Sequence, residues 1–304
     1  MKIALSLFDG MSCGQLALQR AGISVDYYLA SEVDQYAMTV TKKNFPETVH
    51  LGDVREVDGT SMVGPFILMG GSPCQSFSFV GQKKGMATPE GEEITTLDRY
   101  LELKREGFKF EGQSYLFWEY VRILKETKPK YFLLENVRMD KKWEKVISDT
   151  LGVVPLYIDS KLVTAQTRYR LYWTNIPGVE MPEDKGLTLS DVWDPECENI
   201  SEKMLKKIPG TLAHKKAWSS CKTLEDKAGC LTTNGQGISN SSATNIWVEG
   251  QYYRPSVLMC ERLQTVPENY TEGVAKGQRY KMLGNGWTVD VIAHILSHIP
   301  EEEK

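Results

Sequence analysis

Short apolar runs of strand length alternate along the first half of the chain with segments whose apolar positions recur at helical spacing. Ile3–Phe8, Tyr27–Glu32, Val49–Val54, Pro65–Met69 and Tyr131–Val137 read as strands. Between them, helical patterning follows Gly10 through Leu16-Ala17-Leu18, and recurs over about Asp34–Asn44, Ser114–Glu126 and Lys142–Leu151. Leu156–Val163 and Tyr169–Asn175 predict two further strands. Alternation of this kind is what a parallel sheet with crossover helices demands, so the expected class is α/β with a mostly parallel, doubly wound sheet. In open sheets of that class ligands sit beyond the carboxyl ends of the strands, which makes those ends the places to look for chemistry.

Past Pro177 the periodicity weakens. Val179 to Tyr252 is richer in Ser, Thr, Asn, Gly and Lys and reads as loops and short strands, while Pro255–Val266 and Asp290–Ile299 are helical again. The expected organisation is residues 1–178 with a return segment 268–304 as one domain, and a smaller domain over 179–267. Gly85–Gly112 is a charged segment with helical spacing around Ile94–Arg105, open to reading as a lid or as a surface excursion. No internal repeat is visible, and the Glu301–Lys304 tail reads as disordered.

The remaining 304-residue statistics narrow this picture modestly. At 41% hydrophobic and 25% charged the chain has the composition of an ordinary globular protein with a sizeable core. No apolar run approaches the roughly 20 residues of a membrane span, and Met1-Lys2 leads straight into a strand, so a cytoplasmic protein without a signal peptide is expected. Six cysteines form no C-x-x-C pair, and His214 with Cys221 matches no zinc spacing, so no metal is expected. A net charge of −4 argues against a histone-like coat protein but not against DNA binding. Lys203, Lys206, Lys207, Lys215, Lys216 and Lys222 face only Glu202 over their stretch, which is either a phosphate-contacting patch or a solvated face.

Candidate chemistry clusters at the strand ends. Gly70-Gly71-Ser72-Pro73-Cys74-Gln75-Ser76 follows the fourth strand: the glycines permit a turn and close approach, Pro73 stiffens the next step, and Cys74 is offered as a nucleophile. The plainer reading is a small buried cysteine. The first strand ends in Phe8-Asp9-Gly10-Met11-Ser12-Cys13-Gly14, bare backbone against which a cofactor could lie, although it is not G-x-G-x-x-G. Glu32 closes the second strand and Asp53-Val54 the third. Two successive acidic strand ends suit a nucleoside without phosphates, its ribose hydroxyls on Glu32 and an adenine amino group on Asp53. Helix capping or a turn role would also account for each of them.

Glu135-Asn136-Val137 ends the fifth strand. Burial there disfavours an ionised carboxyl, and a protonated one could give its proton to a ring nitrogen such as N3 of cytosine. The ring would then accept Cys74 at C6, and C5 would become able to attack a methyl group on sulfonium. Gln166-Thr167-Arg168-Tyr169-Arg170 sets three long polar side chains on one face at period two. Arg168 and Arg170 could bind the base carbonyl, a flanking phosphate or Glu135 itself; an edge strand with alternating polarity is the competing reading.

In this order the motifs resemble the DNA cytosine-5 methyltransferase family: Phe8-Asp9-Gly10, Glu32, Asp53, Pro73-Cys74-Gln75, Glu135-Asn136-Val137, Gln166-x-Arg168-x-Arg170, Glu261-Arg262-Leu263-Gln264 and Gly284-Asn285. The likeness covers nearly the whole chain and is of bacterial and phage type. Leu116-Phe117-Trp118-Glu119-Tyr120 and Trp173–Gly178 are similar to the catalytic domains of animal de novo methyltransferases. The resemblance implies the Rossmann-like fold of S-adenosylmethionine-dependent methyltransferases with a target-recognition domain over 179–267. It further implies S-adenosylmethionine against Phe8, Asp9, Gly10, Met11, Glu32, Asp53, Val54, Pro73, Leu116 and Asn285. Cys74, Glu135, Arg168 and Arg170 are then expected as the catalytic set, acting on a cytosine flipped out of double-stranded DNA. Gln75, Ser76, Asn234, Gln236, Lys206 and Lys207 are expected against the DNA. A monomer is expected, with a cognate restriction endonuclease as a candidate partner.

Several positions depart from the family pattern. Cys230, opening a stretch through Gly237 that resembles a recognition loop, replaces a usual threonine; Gln113 stands where an arginine is common; and Gly286-Trp287 replaces a Ser/Ala-Val pair. A tRNA cytosine-5 methyltransferase shares the fold, but its recognition region is minimal, against the match at 230–237 here. A non-catalytic DNA-binding relative would not need Cys74, Glu135, Arg168 and Arg170. A uracil enzyme is disfavoured because N3 of uracil already carries hydrogen.

Overall fold

The computed structural model describes residues 1–62, 64–73, 86–88, 91–200, 222–233 and 244–304. Elements are numbered over these residues. The expected strands form one seven-stranded sheet: β1 (Ile3–Leu7), β2 (Tyr27–Ser31), β3 (Val49–His50), β4 (Ile67–Gly71), β5 (Tyr131–Val137), β6 (Leu156–Asp159) and β7 (Tyr169–Thr174). Their order is β3-β2-β1-β4-β5-β7-β6, with only β7 antiparallel to its neighbours. The chain winds outward in opposite directions from the β1–β4 pair, so the switch point of this doubly wound sheet lies beyond the carboxyl ends of those two strands.

Central strands are buried on both faces, which is why they read as continuous apolar runs. Ala4, Ile67, Met69 and Leu133 point into a cluster covered by helices α1 (Cys13–Arg20) and α2 (Gln35–Asn44). Leu5, Leu7, Leu68 and Leu134 point into another, under α3 (Leu97–Arg105), α4 (Leu116–Thr127) and α5 (Lys141–Leu151). Residues 91–112 belong to that second layer. Ile94, Tyr100 and Leu103 are buried, and the Tyr100 hydroxyl donates to Glu119 Oε1 of α4 at 2.5 Å.

Four expectations change. The Glu301–Lys304 tail, expected to be disordered, forms a 3-10 turn over Glu301–Glu303, with Glu303 accepting from the Tyr131 hydroxyl at 2.9 Å and pairing with Lys130 at 2.5 Å. The third strand shrinks to Val49–His50 because the Asp53 carboxylate accepts from the Arg55 amide at 2.9 Å and starts a 3-10 turn, Val54–Glu56. Asp159 cuts the sixth strand short in the same way, accepting from the amides of Lys161 and Arg168 at 3.1 and 2.9 Å. A helix unexpected from periodicity, Lys276–Asn285, lies between two expected ones. In chain order these are α6 (Val257–Leu263), α7 (Lys276–Asn285) and α8 (Val289–Ser297).

Helix α8 packs on α1, with Arg20 and Asp290 paired at 2.6 Å. In the 179–267 span, β8 (Glu198–Asn199), β9 (Ile246–Val248) and β10 (Gln251–Arg254) make a small antiparallel sheet. Leu189, Val192, Ala228, Leu231 and Ile246 of this span join the same cluster as Ala4 and Ala17, so the described core is continuous across it. Among the described residues no helix is long and apolar enough to cross a membrane, and no group of His, Cys, Asp and Glu could hold a metal ion.

Candidate active site

The turn after β1 is held in an unusual backbone. Phe8, Gly10 and Ser12 all have positive φ, at 57°, 60° and 62°. For a side chain as bulky as Phe8 this costs roughly 1–2 kcal/mol, so the surroundings must enforce it. They do. Asp9 N–H donates to Ser31 O at 3.1 Å, and Gly10 N–H donates to Glu32 Oε2 at 2.7 Å, lashing the turn to the end of β2. The Asp9 side chain turns inward, accepting from the Tyr28 hydroxyl at 2.6 Å and from Ser12 Oγ. Burial pushes its carboxyl up to about 6, against the opposing hydrogen bonds from Ser12 and Tyr28. Asp9 thus shapes the turn from beneath. Met11 is buried with it, and its carbonyl accepts from the Tyr270 hydroxyl at 2.6 Å.

Glu32 accepts three backbone hydrogen bonds: Gly10 on Oε2, and Val33 and Asp34 on Oε1 at 2.7 and 2.8 Å. A carboxylate offers about four lone-pair positions, so one remains on Oε2 for a further donor. Nothing lies within 4 Å of where a Cβ on Gly10 would be, and the same holds at Gly52, so bare backbone opens on both turns. Asp53, three residues past the end of β3, is more committed. Arg55 grips it with Nε at 3.0 Å and Nη2 at 2.5 Å, and that hydrogen-bonded guanidinium holds its carboxyl below the usual range. Val54 is buried below it, and Arg122 of α4 donates to the Val54 and Val57 carbonyls at 3.2 and 3.0 Å. Leu116, half-buried, opens α4, and Asn285 is exposed at the end of α7.

Across the switch point, Gly71 of β4 pairs in register with Glu135 of β5. Glu135 lies on the sheet face that carries Leu133 and α1, and is 12% exposed. Arg170 reaches it from β7, with Nε 2.9 Å from Oε1. Trp287 Nε1 donates to Oε2 at 3.3 Å. Asn136, next in the chain, donates to Ser72 Oγ and O at 3.0 and 3.3 Å and so fastens the Ser72-Pro73 step, Pro73 being half-buried, to β5. Cys74, Gln75 and Ser76 follow immediately and lie outside the described residues, as do Lys206, Lys207, Asn234 and Gln236.

Arg168 shares the face of Arg170 but takes another task. It is 3% exposed and donates to three main-chain carbonyls: Leu231 at 3.0 Å, Gly284 at 3.1 Å and Gly286 at 2.8 Å. Burial and the neighbouring Arg170 charge both lower its pKa. It therefore staples the segment containing Cys230 to the end of α7 instead of turning towards Glu135. Cys230 Sγ lies 3.5 Å from Arg168 and 3.8 Å from Arg170. Burial pushes the thiol up, but the two guanidinia outweigh it and hold it below its ordinary value.

Motif residues outside the expected catalytic set form the scaffold around these arginines. Gln166 accepts from Leu231 N–H at 2.9 Å and donates to Leu263 O at 3.1 Å. Gln264 donates to Leu283 O at 2.5 Å and Gly286 O at 3.1 Å. Glu261, fully buried, accepts from the Asn269 and Thr271 amides, Thr271 Oγ1 and Arg279. Trp287 and Asn136 were missed as contact residues. Asn136 sat inside a motif already singled out, whereas Trp287 showed only as a departure from the family pattern.

A profile of C-5 cytosine-specific DNA methylases matches residues 3–105, 102–151 and 164–301. The orphan methyltransferase M.SPRI of Bacillus phage SPR is 31% identical over 181 residues, covering 55% of this chain and 36% of its own length. The chain thus spans little more than a third of that relative. The type II methyltransferase M1.ScrFI of Lactococcus lactis subsp. cremoris is 27% identical across 99% of this chain and 79% of its own length. Among solved structures, the Entamoeba histolytica methyltransferase EhMeth superposes with a TM-score of 0.75 at 16% identity, over 100% of this chain and 99% of its own, a likeness of fold. With the profile spanning most of the sequence, this chain belongs to the C-5 cytosine-specific DNA methylase family.

Proposed function

We propose that this chain transfers a methyl group from S-adenosylmethionine to C5 of cytosine in a specific sequence of double-stranded DNA. One observation carries the reading: Glu135, gripped by Arg170, stands in register with Gly71, three residues before Cys74, at the same sheet end as the Gly10–Glu32 turn. The cofactor, when bound, supplies a methyl group on sulfonium. Glu32, with its remaining acceptor position, and the bare backbone at Gly10 fit the nucleoside part. Asp53 fits an adenine amino group only by sharing its carboxylate with Arg55. Phe8, Asp9 and Met11 shape the turn, and Val54, Pro73, Leu116 and Asn285 are assigned to the cofactor by their places in the family's motifs.

In this reading the Cys74 thiolate adds to C6 of the base while Glu135 gives a proton to N3, and C5 takes the methyl group. Loss of the C5 proton to solvent then expels the Cys74 thiolate from C6 and returns the N3 proton to Glu135. Arg170 keeps Glu135 in place. Arg168 acts at one remove, by fixing the 230–233 segment and the end of α7. The base must leave the stack to reach these groups. Sequence readout falls to 179–267, including Asn234, Gln236, Lys206 and Lys207, with Gln75 and Ser76 beside the nucleophile. The parts 1–178 and 268–304 carry cofactor and chemistry.

The test is methyl transfer from labelled S-adenosylmethionine to mixed-sequence duplex DNA, followed by base-resolution methylation sequencing. C5 methylation confined to cytosines in one short motif is expected, and Cys74→Ser should abolish it. Label on tRNA alone would replace DNA as the substrate. Label on neither would overturn the reading.

A further inference from the structure

Trp287 is the part of this site that the order of motifs leaves unexplained. Its indole comes from the turn after α7 and lies over the end of β4. Nε1 donates to Glu135 Oε2 at 3.3 Å. A Cβ on Gly71 would sit 2.9 Å from that nitrogen and 3.1 Å from that oxygen, so the contact requires a bare β4 end. A Cβ on Gly14 would lie 3.7 Å from the far edge of the ring, which reaches from the first turn of α1 to Glu135.

Glu135 is therefore held from two directions. Arg170 reaches Oε1 from β7, and Trp287 reaches Oε2 from the turn between α7 and α8. The terminal torsion of a glutamate is broad, so one grip leaves its carboxyl plane free to turn. A donor on the second oxygen fixes that plane. The backbone at 287 does not depend on the indole: Gly286 O accepts from Arg168 and Gln264, and Thr288 Oγ1 donates to Gln264 Oε1 at 2.9 Å. A phenylalanine at 287 would keep a ring over Gly71 and lose the donor alone.

We propose that Trp287 is a positioning residue for Glu135, orienting its carboxyl group so that Oε2 meets the incoming base, and that Gly71 is glycine to allow it. The proposal rests on the reading of Glu135 as the N3 acid. Trp287 touches the acid and acts through it.

The experiment compares kcat, and KM for S-adenosylmethionine, in the wild-type chain, Trp287→Phe, Gly71→Ala and the double variant on a duplex that the wild type methylates. Each single change should lower kcat about tenfold, the loss of one hydrogen bond to a charged group, with KM for S-adenosylmethionine unchanged. The double variant should be no slower than the slower single one, since both break the same contact. Independently of activity, the indole 15N resonance lost in Trp287→Phe should move in Glu135→Gln.

An unchanged kcat in folded Trp287→Phe overturns the proposal. So does a raised KM for S-adenosylmethionine at unchanged kcat, which would make Trp287 a cofactor contact. An indole resonance indifferent to Glu135→Gln overturns the contact itself. A wild-type chain that methylates no DNA overturns the proposed function and the positioning role together, while the resonance still decides whether the indole and carboxylate meet.

Discussion

Asp9 offers the sharpest physical test of the turn after β1. Its carboxyl is buried, held by Tyr28 and Ser12, and pushed from 3.8 up to about 6 chiefly by burial. An acid whose folded value is raised binds its proton more tightly in the folded state than in the unfolded one. Its stabilising contribution is full below about pH 4 and is lost as the pH rises through about 6. Two units at 1.36 kcal/mol each make the loss about 3 kcal/mol by pH 7. Asp9→Asn keeps the shape and cannot titrate. Relative to wild type, the variant should therefore gain about 3 kcal/mol between pH 4 and 7, with most of the change between 4 and 6. Urea denaturation of both proteins at matched ionic strength, with equal m-values, measures that double difference. A difference that stays flat, or moves in favour of wild type as pH rises, would refute the assignment of a buried, burial-shifted acid.

Three further outcomes follow from the scaffold around Arg168. Glu261→Ala removes a fully buried carboxylate from two amides, a hydroxyl and Arg279, and should cost about 3–5 kcal/mol in urea unfolding; a loss below about 1 kcal/mol would contradict that network. In Gly284→Ala the new methyl would stand 2.3 Å from the Thr232 carbonyl. The resulting overpacking, about 1–3 kcal/mol, should outweigh the roughly 1 kcal/mol that alanine gains in a helix, so a raised melting temperature would refute the close approach. Cys230 should be the first of the described cysteines to take iodoacetamide near neutral pH, as read by peptide mass mapping. Cys13 is buried and pushed up to about 12, and Cys197 and Cys260 are also raised by burial; earlier labelling of any of these would overturn the arginine effect.

The sequence by itself determined the two helix layers around the sheet and the strands whose ends carry the candidate site residues. Buried parallel strands must be apolar on both faces, so Tyr131–Val137 was legible to the residue, and the amphipathic spacing of Leu116–Thr127 and Lys141–Leu151 was nearly so. Glu32 and Glu135 could be placed at strand ends for the same reason, whereas Asp53 stands three residues past the end of β3. Strand lengths were not determined where an aspartate offered its side chain to the following amides, as Asp53 and Asp159 do. Helix α7 was invisible because it carries two glycines and little periodicity. Contacts from elsewhere in the chain hold it: Glu261 to Arg279, Pro255 O to Tyr280, and Asp34 to Lys281.

Tertiary structure alone decided which partner each functional side chain takes. Arg168 and Arg170 are the same residue type, two positions apart on one face. Arg170 grips Glu135, whereas Arg168 staples three carbonyls, because the Leu231, Gly284 and Gly286 carbonyls arrive within its hydrogen-bond reach. The Trp287 contact joins residues 152 positions apart. Periodicity records how one segment divides itself between core and solvent, and that is written locally. The choice of hydrogen-bond partner depends on which distant turns the packed sheet brings together, and no local pattern carries it.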